Sequence, residues 1–134
     1  MTDLTALLSR VEAATGPDRE LDRDILLAVG GAIDGQYWRW PGEERSSSFG
    51  ALPPFTSSLD ATVALVEKLR PDWFFTISNF CPSLEKRAWA DIASLGYINE
   101  EDGCGDQRSE GHGYAPTCAL LAALLRSMIE EEGR

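Results

Sequence analysis

The sequence lacks several features that would identify a function directly. It contains one histidine and three cysteines in 134 residues. No C-x-x-C pair is present, so a tetrahedral metal site is not expected. There is no G-x-S-x-G run and no phosphate-binding P-loop. No segment approaches the roughly 18 consecutive apolar residues of a membrane-spanning helix. We therefore expect no metal, no cofactor and no membrane contact.

Basic residues are also scarce, with 12 Lys and Arg against 22 Asp and Glu and a formal charge of −10. This excess of negative charge repels phosphate backbones and disfavours general nucleic-acid binding. The N-terminus places an acidic residue before its apolar positions and has no basic stretch, which is not typical of a signal peptide. An odd number of cysteines at unrelated spacings favours a reduced, cytosolic protein.

The sequence does contain regular apolar patterns. Positions Leu4, Leu7, Leu8 and Val11 predict a first helix, capped by Thr2 or Asp3 and ended by Gly16-Pro17. A second helix follows with Asp18 as N-cap, and Gly30-Gly31 ends it. A third helix begins at Ser57 or Ser58 and ends at Pro71, and the strongest apolar stripe predicts a last helix from Ala115 onward.

Strand signals are fewer. The run WFFTIS (residues 73–78) predicts a central strand, KRAWADI a second, and GYIN a third strand or a turn. Residues 41–54 and 100–113 are rich in glycine, proline or polar residues and predict loops. The fold class we expect is α+β, with one domain over residues 1–134. A small antiparallel sheet of about three or four strands would be packed by about four helices in an α/β/α sandwich-like arrangement.

The stretch GQYWRWPG (residues 35–42) permits two interpretations. In a strand, Trp38 and Trp40 share one face while Tyr37 and Arg39 share the other. The tryptophans could then fill the core, which is the commoner use of aromatic residues in strands. Alternatively, an indole could stay open as a stacking platform, with Arg39 beside it to contact an anion.

Three runs taken in order resemble one family. These are ATGPDRELDRDILLAVGG, PPFTSSLDATVALV before a Trp-bearing strand, and the terminal YAPTCALLAALLR. Together they resemble the phage ABA sandwich domain, found in small phage and prophage proteins, over nearly the whole chain. Cys118 departs from the pattern, because a proline is expected in an APTPAL-like run. The resemblance implies a phage-encoded accessory protein of the host bacterial cytoplasm, and it carries no established catalytic residues.

The function we expect is therefore binding rather than catalysis. By analogy with phage proteins that blunt host defence, the ligand would be a small nucleotide-derived immune signal. Aromatic side chains would hold a base and cationic ones its phosphates, and a helix N-terminus attracts anions. The candidate ligand-binding residues are Tyr37, Trp38, Arg39, Trp40, Arg45, Thr56, Ser57, Ser58, Arg108 and His112.

Two alternatives stay open. The first is an inhibitor that binds a basic host protein through its acidic surface and predicts salt-sensitive binding. The second is a small-nucleotide hydrolase that uses His112, Cys104 or a carboxylate as acid or base. Assembly into a homo-oligomer is compatible with each, since a shared interface deepens a pocket in a small domain.

Overall fold

The computed structural model describes residues 3–34, 37–40, 48–49, 52–81, 87–94 and 108–132. Within them lie four helices: α1 (Leu4–Ala13), α2 (Arg19–Ala28), α3 (Leu59–Leu69) and α4 (Pro116–Glu132). Six strands accompany them: β1 (Ala32–Asp34), β2 (Tyr37–Arg39), β3 (Ser48–Phe49), β4 (Trp73–Cys81), β5 (Arg87–Ser94) and β6 (Arg108–Gly113). The α+β class predicted from the sequence is confirmed.

The first three helices begin where their capping residues predict. Asp3, Asp18 and Ser58 each accept backbone N–H groups of the following helix through their side chains. α2 ends next to Gly30, whose φ of 101° suits a residue without Cβ. Each cap satisfies N–H groups that a helix start leaves without intrahelical partners.

The described strands form two antiparallel sheets, each of three strands. The first has the order β1-β2-β3 and the second β4-β5-β6. In the first, Trp38 lies opposite Ile33. In the second, β4 pairs with β5 along most of its length, with a register shift between Ser78 and Cys81. Each sheet is a meander, in which strands that follow one another in the chain pair in antiparallel orientation.

Helix α4 is the centre of the core. Its residues from Cys118 to Leu125 are fully buried, and it packs against β5 and β6 as well as against α1 and α3. Burial of Cys118 agrees with its interpretation as a small core residue. Apolar side chains of α1, α2, α3 and β5 complete one continuous cluster with Phe55 and Trp38.

Three expectations from the sequence need correction. Residues 108–113 form strand β6 rather than the end of a loop, and Ser48-Phe49 form strand β3 inside the segment predicted as a loop. The run from Trp73 lies at an edge of the described sheet, while β5 is central. Strands of one meander pair in chain order, so the middle strand is central whatever its composition. The GYIN run lies outside the described residues.

Candidate functional site

Trp38 and Trp40 lie on the inner side of the first sheet. Trp38 is only 9% exposed and belongs to the core. Its ring centroid lies 5.4 Å from that of Trp40 in an edge-to-face arrangement, and Trp40 lies 6.1 Å from Phe55 in the same manner. Such geometry suits the quadrupoles of aromatic rings. The structure thus favours the core interpretation of both tryptophans over the stacking platform.

Tyr37 and Arg39 lie on the opposite side of β2. Tyr37 is 52% exposed, and Arg39 is half-buried. Because side chains alternate along a strand, these two residues share a face and are separated by about 7 Å along it. The aromatic and cationic groups that the platform interpretation requires are therefore present together, with tyrosine in place of tryptophan.

The predicted anion site at the start of α3 consists mainly of structural contacts. Thr56 is fully buried, and its backbone N–H donates to Asp22 Oδ1 at 2.8 Å. The Ser58 hydroxyl accepts the Ala61 N–H at 3.3 Å as the helix cap. Ser57 is exposed, and its hydroxyl donates to the Pro54 carbonyl. The hydrogen bonds of Thr56 and Ser58 thus stabilise the backbone at the start of α3.

The Thr56 carbonyl joins this segment to α4. It accepts from the Tyr114 hydroxyl and, at 3.2 Å, from the Thr117 hydroxyl. Burial raises the pKa of Tyr114 above its ordinary value, and the nearby Cys118 and Asp22 raise it further. The phenol is therefore held in its neutral, donating form.

The raised pKa of Tyr114 predicts loss of stability at alkaline pH. Because the folded state binds this proton more tightly, the contribution is complete below the unfolded pKa of about 10 and is lost as pH rises through the folded pKa. We expect Tyr114→Phe to cost about 1 kcal/mol at neutral pH and to flatten the alkaline decline. Urea unfolding at pH values on both sides of about 10 measures both effects. Tyr37→Phe is the exposed control, and an unchanged alkaline slope in Tyr114→Phe would contradict the assignment.

Arg108 lies at the start of β6 within a carboxylate cluster. Its Nε and Nη2 contact Asp91 Oδ2 at 2.9 and 2.8 Å, and its Nη1 contacts Glu110 Oε1 at 2.8 Å. Burial lowers the pKa of Arg108, but the hydrogen bond to Glu110 and the charges of Asp91 and Glu110 raise it more, so the pKa lies above its ordinary value. Two carboxylates thus already neutralise the cation that was predicted to bind phosphate.

His112 belongs to a neighbouring polar group. Its Nε2 lies 3.2 Å from Glu12 Oε2, and Arg126 Nη2 contacts the same oxygen at 3.1 Å. Arg126 also donates to the Glu110 carbonyl and so links His112 with the Arg108 cluster. The second ring nitrogen, Nδ1, is buried and has no hydrogen-bond partner among the residues that the structure describes. A general base must reach its substrate, and this buried nitrogen does not face solvent. The alternative that the protein is a hydrolase stays a prediction.

The predicted site residues thus fall into separate groups. The first sheet brings together Tyr37, Trp38, Arg39 and Trp40, while β6 brings Arg108 and His112 together through Arg126. Arg45 and Cys104 lie outside the described residues. The sequence did not predict the partners of these side chains, which are Glu12, Asp91, Glu110, Tyr114 and Arg126. Asp91 could have been singled out as the carboxylate inside the predicted strand KRAWADI.

Comparisons with protein-family models, with curated proteins and with solved structures gave no match for this chain. Within the described ranges, no three His, Cys, Asp or Glu side chains are grouped so that they could hold a metal ion. None of the helices described above is long and apolar enough to cross a membrane. The function of this protein must therefore be inferred from the geometry of its own residues.

Proposed function

We propose that the protein is a non-enzymatic binding domain, a phage-encoded accessory protein that sequesters a small nucleotide-derived immune signal in the host cytoplasm. The observation that carries this proposal is that Tyr37, which is exposed, and Arg39, which is half-buried, share one face of β2. The resemblance to the phage ABA sandwich domain supports the phage origin. A tyrosine ring stacks on bases of any sequence, and a guanidinium binds phosphate oxygens in a fixed geometry.

The opposite face of β2 gives this pair a rigid support. Trp38 is buried against Ile33 and Trp40, and Trp40 contacts Phe55. Because packing on its inner face fixes β2, Tyr37 and Arg39 on the outer face are already in position before a ligand binds. Less conformational entropy is then lost on binding. Ligand capture at this face requires no acid, base or metal.

The first test is recovery of the ligand. Native mass spectrometry of protein purified from infected, defence-active cells would measure the mass of any bound molecule, and heat release would identify it. We expect an intact nucleotide-like molecule at a fixed ratio to the chain. A cleaved product would indicate an enzyme, and an empty protein that co-purifies with one host polypeptide would indicate an inhibitor.

The second test locates the site with that recovered molecule. We expect Tyr37→Ala and Arg39→Ala each to weaken binding about 10-fold, because stacking on an aromatic side chain contributes about 1–3 kcal/mol per base. Isothermal titration calorimetry measures the change, and circular dichroism checks the fold. Tyr37→Phe should retain binding, and Arg23→Ala removes an equal charge from the exposed face of α2 as control. Full binding by both alanine variants would exclude this face.

A second candidate is an inhibitor that binds a basic host protein. It is favoured by the exposed acidic residues 130–132 in the last turn of α4 and by the net charge of −10. Its affinity would fall steeply with salt, since attraction between exposed charges is screened beyond about 10 Å at 0.1 M ionic strength. Co-purification of a single basic polypeptide at low salt, with no small molecule, would favour it over ligand capture.

A further inference from the structure

Strand β4 forms one edge of the second sheet. Among the described strands it pairs only with β5, so the backbone N–H and C=O groups on its other side have no strand partner there. Residues 73–78 pair with β5 in one unbroken register before the shift that follows Ser78. A run of about six residues is a common strand length. This edge is therefore regular and long enough for another strand to pair with it.

The two edges of this sheet differ in their protection. At the β6 edge, Arg108 and Glu110 are charged, and Glu12 of α1 contacts His112. Strand β4 has no charged residue, proline or glycine in its nine residues, Trp73–Cys81. Natural proteins place charges, prolines or covering elements on free sheet edges, which prevents pairing with another chain. The sequence of β4 contains none of the residues that would prevent such pairing.

The helices on the inner face of this sheet cover β5 fully but β4 only in part. The side chains of Ala90 and Ile92 in β5 are fully buried. Their partners on β4, Ile77 and Phe75, are only half-buried, although they pack against the same core cluster. Apolar surface therefore stays exposed along the β4 edge, and its burial would favour contact with another strand.

The side chains of β4 suit pairing with a second copy of the same strand. In an antiparallel sheet, residues that lie opposite each other point to the same face. A twofold axis perpendicular to the sheet therefore places odd-numbered residues opposite odd-numbered residues. These positions, Trp73, Phe75 and Ile77, are all apolar. In the register centred on Phe75, Trp73 lies opposite Ile77 of the second copy, and an aromatic residue opposite a β-branched one is a favourable cross-strand pair.

The charges of the protein are compatible with this contact and give a basic partner no advantage. The formal charge is −10, so two copies repel each other except where uncharged surfaces meet. Asp72 directly precedes β4, and in the register centred on Phe75 it lies opposite Ser78 of the second copy. The two Asp72 residues are then roughly 20 Å apart along the strands, beyond the screening distance of about 10 Å in 0.1 M salt. A basic protein would find no carboxylate on β4.

We propose that the protein forms a homodimer in which β4 pairs antiparallel with β4 of a second copy. This pairing joins the two three-stranded sheets into one sheet of six strands. The contact uses other residues than the Tyr37–Arg39 face and requires no ligand, so it goes beyond the proposed function. We expect a reversible dimer, because one strand edge is a small contact beside the roughly 1,200–2,000 Å² that stable interfaces bury.

Sedimentation velocity of the full chain, without added ligand, tests for the dimer. From about 1 μM to about 1 mM protein, the range of weak affinities, we expect a reversible change from monomer to dimer. Because the contact is uncharged while the two copies repel each other, added salt should tighten the dimer. A monomer throughout this range, or a dimer that salt weakens, would overturn the proposal.

Hydrogen exchange locates the contact in the parent protein. Backbone amides within residues 73–78 should exchange more slowly at the concentration where the dimer forms than at the concentration of the monomer, while those of β6 should not change. Protection confined to other elements would overturn the assignment to β4. Protection of residues 73–78 by a different protein, but not by a higher concentration of this one, would overturn the choice of a second copy. This measurement needs no variant, so it decides the question even if a variant fails to fold.

A lysine on β4 should prevent the pairing. Thr76 is exposed, and a lysine there places a charge in the middle of the contact. We expect Thr76→Lys to raise the dimer dissociation constant at least about 10-fold, with circular dichroism as the check of the fold. Thr5→Lys makes the same change at an exposed position of α1, which packs beside β6, and should dimerise at least as tightly as the parent. Equal weakening in both variants would show that β4 does not control the association and would overturn the proposal.

Discussion

We expect Gly111→Ala to destabilise the protein by about 3 kcal/mol or more, and Gly111→Val to prevent folding, because β6 leaves no space for a side chain beneath α4. A Cβ atom on Gly111 would lie 2.7 Å from the Ala122 Cβ and still closer to the Ala123 nitrogen and the Ala119 carbonyl oxygen. Two of these three atoms belong to the backbone of the stretch 118–125, the fully buried part of α4. A change of rotamer cannot relieve the clash, so strand and helix would have to separate.

Gly16→Ala is the matched control for this prediction. Gly16 lies between α1 and α2, and a Cβ there would meet no atom within 4 Å. We expect its free energy of unfolding to stay within about 0.5 kcal/mol of the parent or to rise slightly, because alanine restricts the unfolded chain. Urea denaturation of both variants, followed by circular dichroism, measures the difference. A Gly111→Ala protein as stable as Gly16→Ala would show that α4 does not pack closely on β6.

The helices could be predicted because their signals are local. The apolar spacing of α1 and the caps Asp3, Asp18 and Ser58 depend on residues within one turn. Burial of the apolar face then adds to a preference that the chain already has. Gly30 likewise marks the end of α2 through its own backbone conformation.

Strand β6 could not be predicted, because its stability comes from distant partners. The sequence RSEGHG has low strand propensity and two glycines. Its backbone pairs with β5, and its glycines allow α4 to approach, as the distance from a Gly113 Cβ to the Cys118 Cβ, 2.7 Å, indicates. The alanines of α4 and the glycines of β6 fit each other, but this fit appears only when both elements are placed.

The candidate site, like the fold, could be predicted only in part from the sequence. Alternation along residues 37–40 correctly placed Trp38 and Trp40 on one face, whereas the choice between core and platform needed the position of Phe55. Arg108 was expected to be available for phosphate. Its partners Asp91 and Glu110 make it a structural ion pair instead. The sequence shows that Arg108 carries a charge, but the fold decides which carboxylates neutralise it.

We expect Asp22→Ala to destabilise the protein by about 3 kcal/mol, the second large effect. Asp22 is fully buried in α2. Its Oδ1 accepts the Thr56 N–H at 2.8 Å, and its Oδ2 contacts Arg19 at 2.9 Å. Alanine would leave a buried N–H group without an acceptor, since water does not reach Thr56. Arg19 is about half exposed and can be solvated, so most of the cost comes from the amide.

Asp24→Ala is the control, because Asp24 lies on the same helix and also pairs with an arginine. Its contact with Arg10, at 2.7 Å, has side chains that are 38% and 45% exposed, so we expect a loss of at most about 1 kcal/mol. Guanidinium denaturation of the two variants compares buried with exposed carboxylates directly, and equal losses would contradict the assignment. Asp22 also fixes the segment that carries Phe55, on which Trp40 packs. Loss of Asp22 should therefore also weaken the ligand binding that we propose at Tyr37 and Arg39, whereas loss of Asp24 should not.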